Sequence, residues 1–226
     1  INECRQVVSN IDWECEVHRN FQTRNYGCDP SGFMAHRWAF SLTDKCVVLE
    51  DDVVPTLSYF RFCQELLNKY ENDERVGMIT GFNYDGISQD VCSDYFFTSA
   101  FVSMGWASWS RVVNKWEGDY AFYKKEETRR QLQDIIRARN LRNEFPKLFE
   151  CHSKSGREFF ETIFNAHMLL NSQLSIVSRV NMIQNVGLGT DSTHTKSMIE
   201  TLPHGYRKIF TMQSYDVEFP LRHPAY

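Results

Sequence analysis

Apolar positions along the first hundred residues alternate between helical stripes and short continuous runs. Residues 1–11, INECRQVVSNI, predict a helix, and Glu14 to Phe21, ECEVHRNF, predicts a strand. QTRNYGCDPSG follows as a loop dense in turn formers. Pro30 and Ser31 open a second helix, with Phe33, Met34, Trp38 and Leu42 near helical spacing. CVVLE, Cys46 to Glu50, is a continuous apolar run of the kind expected of a strand covered on both faces. Beyond Pro55 an amphipathic helix is predicted over LSYFRFCQELLNKYEN, and VGMITGFN then predicts another buried strand. Strand and helix in turn argue for an α/β sheet of the doubly wound kind.

The second half changes character. DYFFTSAFVSMGWASWSRVVNKW is dense in aromatics. EETRRQLQDIIRARNLRNEF predicts a charged helix with Leu132, Ile135 and Ile136 on one face, and GREFFETIFNAHMLLNSQ a helix with a long apolar face. LSIVSRVNMIQNVGLG returns to strand character, TDSTHT reads as a polar loop, and the last 30 residues read as a loosely wrapped tail. Tyr95, Phe96 and Phe97 are expected in the core.

Composition narrows the function classes. With 226 residues, 42% of them hydrophobic, the chain holds enough apolar surface for one sizeable core. The net charge of -4 argues against a nucleic-acid partner, which favours a basic face. Seven cysteines, an odd number, suggest free thiols in a reducing compartment, hence a cytoplasmic protein. No apolar run approaches the roughly 20 residues of a membrane span. Peripheral association at the inner face of the membrane is the most that is expected.

The chemistry concentrates at CVVLEDDVVP, where an apolar run meets three consecutive carboxylates, Glu50, Asp51 and Asp52. In open α/β sheets ligands bind beyond the carboxyl ends of the strands. Like charges crowded there repel, and desolvation favours their protonation. A divalent cation relieves both effects, and Mg²⁺ or Mn²⁺ accepts one or two carboxylates together with substrate phosphates. The plain alternative is a helix cap, with Asp51 or Asp52 capping the helix that begins near Pro55. The chain has no GxGxxG or Walker A motif, and no Ser-His-Asp set or catalytic cysteine arrangement stands out.

Strand, Glu-Asp-Asp, then loop and helix resembles the metal motif of GT-A fold glycosyltransferases. The Glu-Asp-Asp form followed by Val and Pro is similar to the inverting N-acetylglucosaminyltransferase I family and its bacterial, family 2-like relatives. HRWAF resembles the helix before that family's metal strand, and FVSMGWASWSR its Gly-Trp segment. FFETIFNAHMLLNSQLSIVSRVNMIQNVGLGTDSTHT resembles the C-terminal part of bacterial members. The ordered set covers most of residues 20 to 196.

The resemblance implies a GT-A, Rossmann-like, mostly parallel mixed sheet flanked by helices. The family's first strand and nucleotide-binding turn are expected upstream of Ile1, outside the chain. It also implies one domain over 1–226, with a nucleotide-sugar-binding half (1–100), an acceptor and catalytic half (101–196) and a tail (197–226). The implied activity is metal-dependent, inverting transfer of a hexosyl or N-acetylhexosaminyl group in polysaccharide biosynthesis. The donor is a nucleotide-diphosphate sugar, UDP-linked first of all, and the acceptor a hydroxyl of a glycan or lipid-linked glycan.

By the same resemblance Asp52 contacts Mn²⁺ or Mg²⁺, Asp51 meets the donor, and Glu50 orients the donor or coordinates through water. Glu161, opening a late helix where the family more often has Asp, is the base for the acceptor hydroxyl, and Glu158 is its rival. His194 falls where a late histidine reaches the metal or diphosphate. In the turn before the second helix, Gly27 allows close backbone approach, and Arg24 and Asn25 are candidates for the base or phosphates. Trp106 or Trp109 is expected to line the acceptor site, with Arg111 as the cation beside it. The ordinary alternatives are a solvated loop for His194, core packing for the tryptophans and a plain turn for residues 24–27. His36, His152 and His167 are taken as structural. Two other classes stay open: a metal-dependent phosphohydrolase acting on nucleotides, and a non-catalytic carbohydrate-binding module.

Overall fold

The computed structural model describes residues 2–136, 139–187 and 204–225. Its elements run α1 (Asn2–Val7), α2 (Cys28–Leu42), β1 (Lys45–Val48), β2 (Val53–Pro55), α3 (Leu57–Lys69), β3 (Val76–Thr80), β4 (Tyr95–Thr98) and β5 (Trp106–Trp109). They continue with α4 (Ser110–Val113), α5 (Ala121–Lys124), α6 (Glu126–Ile135), α7 (Arg139–Ser155), α8 (Phe160–Leu170), β6 (Leu174–Ser178), β7 (Ile183–Asn185) and α9 (His204–Thr211).

Five strands form a mixed sheet in the order β1-β5-β3-β6-β4. Among the described strands only β3 and β6 pair in parallel; β5 runs antiparallel to both β1 and β3, and β4 antiparallel to β6. One row crosses the sheet through Val48, Trp106, Thr80, Val177 and Phe96. This register brings the carboxyl ends of β1, β3 and β6 to one edge, together with the amino ends of β4 and β5. A separate two-stranded ribbon pairs β2 with β7, Val53 opposite Asn185.

The chain is therefore α/β with helices flanking a mixed sheet, and less parallel than its alternating elements suggest. β1 is an edge strand whose four residues are all half-buried, whereas β3, in the centre, is fully buried. The sandwiched environment expected for CVVLE belongs to VGMIT instead. Residues 14–21 are exposed and join no strand.

The core follows from periodicity. In α3, Tyr59, Phe62, Cys63, Leu66 and Leu67 recur at three- and four-residue spacing and are buried. Trp106 packs among Phe40, Trp116, Phe164 and His36. Each large side chain so buried contributes roughly 1.5–3 kcal/mol. Tyr95 is fully buried and shares a 2.7 Å hydrogen bond with the Tyr70 hydroxyl. Phe96 and Phe97 are only half-buried, Phe97 packing against the core.

The C-terminal tail is pinned rather than loosely wrapped. The Arg222 backbone N–H and guanidinium both donate to Asp94, at 2.7 Å and 2.6 Å. Asn181 donates to the Gln213 carbonyl, and the Ser58 N–H donates to the Asp216 carboxylate at 3.2 Å. Among the described residues no helix is long and apolar enough to cross a membrane. The described cysteines, Cys15, Cys28, Cys46, Cys63, Cys92 and Cys151, are free thiols.

Candidate functional site

The three acids leave β1 at its carboxyl end, where a tight turn is closed by the Val53 N–H donating to the Glu50 carbonyl at 3.1 Å. The turn feeds β2, and pairing with β7 fixes Asp52. The Val186 N–H donates to the Asp52 carbonyl at 2.8 Å, and Asn185 Nδ2 donates to Asp52 Oδ2 at 3.2 Å. Asn185 Oδ1 in turn accepts the Gly187 N–H at 2.9 Å. A β-carbon at Gly187 would collide with the Asp52 carboxylate, so only glycine fits. The other carboxylate oxygen, Oδ1, is buried and accepts no hydrogen bond among the described residues. A buried acceptor left unmatched costs free energy unless something else completes it.

The capping alternative fails on position. The N-cap residue of α3 is Thr56, and the carboxylate at that helix end is Asp216, reaching in from the tail.

Glu161 joins the same site from another element. It lies in the first turn of α8 and accepts a 2.6 Å hydrogen bond from Ser103 Oγ in the loop between β4 and β5. Because β5 begins at the edge where β1 ends, that loop spans from the Glu161 helix to the acid turn. The electrostatics report the proximity. The Glu50 carboxyl is pushed up to about 7, first by desolvation and then by the charges of Glu161, Asp52 and Asp51. Glu50 keeps an open face to water, but protein packed around its carboxyl leaves it poorly solvated. Cys28, the first residue of α2, is raised by burial and then by Asp29, Glu50, Glu161 and Asp51. The start of α2 therefore rims the cluster.

Glu158, three residues earlier, packs beside Gly118 instead. His152 is stacked on Phe159 at 3.6 Å and shares a 2.8 Å hydrogen bond with Thr162. Burial lowers its pKa, against the opposing pull of Asp29 and Glu161.

In the turn before α2, Gly27 takes φ 87°, a conformation that favours glycine, and a β-carbon there would press on the Arg157 guanidinium. Asn25 Oδ1 accepts the Gly27 N–H at 2.7 Å, and the Arg24 guanidinium stacks over Tyr26 at 4.4 Å. Both side chains shape the turn that delivers the α2 terminus to the rim.

The expected acceptor residues are corrected. Trp106 is 0% and Trp109 2% exposed, so neither presents a face to a sugar. Trp109 Nε1 donates to the Leu67 carbonyl at 3.0 Å. Arg111 follows β5, and β5 is antiparallel to β1, so Arg111 emerges at the opposite end of the sheet. There its Nε donates to the Glu71 carbonyl and its Nη2 to those of Tyr70, Asp73 and Val76. It ties the α3–β3 turn and stands over Trp109 at 4.4 Å. His194 lies outside the described residues. His36 is buried against Trp106, Trp116 and Phe160, and desolvation lowers it to about 4, in keeping with a structural role.

Among the described residues no three His, Cys, Asp or Glu side chains are disposed to hold a metal ion by themselves. The site fits a different arrangement, in which one or two carboxylates take a cation that arrives with phosphate oxygens. Asp52 Oδ1, unmatched among the described residues, is the acceptor such an ion would complete, and the crowding at Glu50 is charge it would neutralise. Sequence reasoning missed Ser103, Asn185 and Gly187, which position the acids. Asn-Val-Gly read only as the end of a strand, since its partner is more than a hundred residues away. No protein-family model matches the chain, and no curated protein matches it.

Proposed function

We propose that the protein is a metal-dependent, inverting glycosyltransferase of the GT-A kind. It transfers a sugar from a nucleotide-diphosphate donor, UDP-linked first of all, to a hydroxyl of a glycan or lipid-linked acceptor. The observation that carries the reading is the meeting of two acidic elements at one sheet edge. The Glu50-Asp51-Asp52 turn leaves β1 there, and Glu161 opens α8 beside it. Ligand sites in open α/β sheets sit at such edges.

In this reading Asp52 holds Mn²⁺ or Mg²⁺ through its free oxygen, with Asn185 and Gly187 fixing the carboxylate. The ion supplies Lewis-acid stabilisation of the departing diphosphate. Asp51 and Glu50 border the donor. Glu161 accepts the proton of the attacking hydroxyl, and the Ser103 hydrogen bond orients it for that task.

A donor screen by thermal shift tests the proposal. A ligand at about 100 times its Kd adds roughly 2.7 kcal/mol of stability. A nucleotide-diphosphate sugar is expected to raise Tm when Mn²⁺ is present and not otherwise. If no nucleotide sugar shifts Tm under either condition, the proposal is wrong.

A further inference from the structure

A second site lies on the other side of α8. A cavity of about 260 Å³ opens between α8, α6 and the segment joining α4 to α5. Its lining combines Lys115, Lys125, Gln131, His167 and Asn171 with the ring of Phe122. Glu161 and His167 are separated by six residues of one helix, an axial distance of about 9 Å.

The chemistry of the wall is that of a donor surface. Lys125 forms no ion pair among the described residues. Lys115 reaches Glu74 only across 3.8 Å, with both side chains well exposed. Such a contact holds a lysine weakly and leaves it free to turn to a ligand. Asn171 Nδ2 donates to the His167 carbonyl at 2.8 Å and lies 3.4 Å from His167 Nδ1. An amide nitrogen only donates, so Nδ1 is the acceptor and the ring proton sits on Nε2. Burial, and then the charge of Lys115, lower His167 to about 4, so the ring stays neutral and keeps that N–H. Among the described residues Glu117 is the single carboxylate in the lining, opposed by the two lysines. In a chain of net charge -4 this pocket is locally positive. Phe122 adds an apolar ring face to the polar wall, a combination suited to a pyranose.

We infer that this cavity binds a monosaccharide-sized anion, a sugar bearing a carboxylate or a phosphate. Lys115 and Lys125 meet its charge, His167 Nε2–H and Gln131 meet its oxygens, and Phe122 packs against its ring. The site is separate from the acid cluster and does not rest on the transferase reading.

Calorimetric titration of the full chain with glucuronate, glucose 1-phosphate, inorganic phosphate and glucose tests it, with the ring signals of His167 followed by NMR. At least one of the sugar anions is expected to bind saturably and to move the His167 signals, with glucose much weaker. Preference between glucuronate and glucose 1-phosphate identifies the charged group. The double variant Lys115→Ala/Lys125→Ala should weaken binding by about tenfold or more, since charge-assisted hydrogen bonds are lost. Lys69→Ala, on α3, should leave it unchanged. Asp52→Ala should also leave it unchanged, which separates this site from the proposed donor site. The inference is overturned if neither sugar anion binds saturably, if glucose binds equally well, or if the double variant binds like the wild type.

Discussion

At the start of β3, Arg111 sits half-buried and its guanidinium donates to four backbone carbonyls of one turn. At the other end of the sheet, Asp52 is placed by its neighbours, yet one carboxylate oxygen is buried with no donor among the described residues. The two residues look alike in sequence, each a charge beside an apolar run. They differ in what surrounds them. Arg111 Nη1 makes no hydrogen bond among the described residues, but it lies 3.9 Å from the opposite charge of Glu74, and the rest of the guanidinium holds the fold. Asp52 is held by Asn185 with its buried Oδ1 unmatched among the described residues, beside a Glu50 raised by desolvation and then by Glu161, Asp52 and Asp51, and in the proposed function that is where a cation would sit.

The largest expected effect would come from the catalytic side of that contrast. Glu161→Gln should lower turnover about 10²–10⁴-fold while donor affinity stays near wild type, because a positioned base acts only in the chemical step. Single-turnover kinetics with a labelled donor checks this. Unchanged turnover would remove Glu161 from the chemistry.

Arg111→Ala should act on stability alone. Truncation strips four carbonyls of their donor and uncovers Trp109, costing about 3 kcal/mol. Tm should fall by roughly 6–12 °C in a chain of this size, read by calorimetry. Below that Tm, donor binding should persist. A variant that loses nucleotide binding while keeping its Tm would reverse the roles assigned to the two ends.

Gly187→Ala forces a methyl group onto the Asp52 carboxylate. Misplacing that group should weaken Mn²⁺-dependent UDP binding about tenfold, with a stability cost of about 1–2 kcal/mol from the clash. Titration beside a melting curve separates the two. If affinity holds while stability falls, the carboxylate position does not matter to binding.

The smallest effect concerns Glu50. Its folded pKa, about 7, lies above the ordinary carboxylate value of 4.5, so the folded chain binds the proton more tightly. Between those values stability therefore falls as pH rises. Glu50→Gln should add about 1 kcal/mol at pH 8, after allowing for solvent screening, and almost nothing at pH 4. Thermal melts at the two pH values, without divalent cation, read it. An equal gain at both would mean that the cluster exerts no repulsion.

Much of the fold was legible because local periodicity mirrors burial. The stripe of α3 and the run of β3 are plain in the sequence. Strand order was not legible, since β5 inserts between β1 and β3 through contacts distant in the chain. That insertion is what misled the reading of GWASWSR. An antiparallel β5 buries both tryptophans and carries Arg111 away from the site. The acid turn could be picked out as carboxylates at a strand end, and Glu161 only through the family resemblance, with Glu158 as its rival. Ser103, Asn185 and Gly187 could not, because their roles exist only once β2 pairs with β7 and the β4–β5 loop meets α8. The pinned tail was hidden for the same reason, Asp94 and Arg222 being 128 residues apart.

The central claim is that Asp52 is half of a cation and diphosphate site. Calorimetric titration of UDP into the wild type and Asp52→Ala, each with and without Mn²⁺, measures it directly. The account predicts that Mn²⁺ tightens UDP binding to the wild type and has no such effect on Asp52→Ala. UDP affinity indifferent to Mn²⁺, or a Mn²⁺ effect that survives in Asp52→Ala, would contradict it.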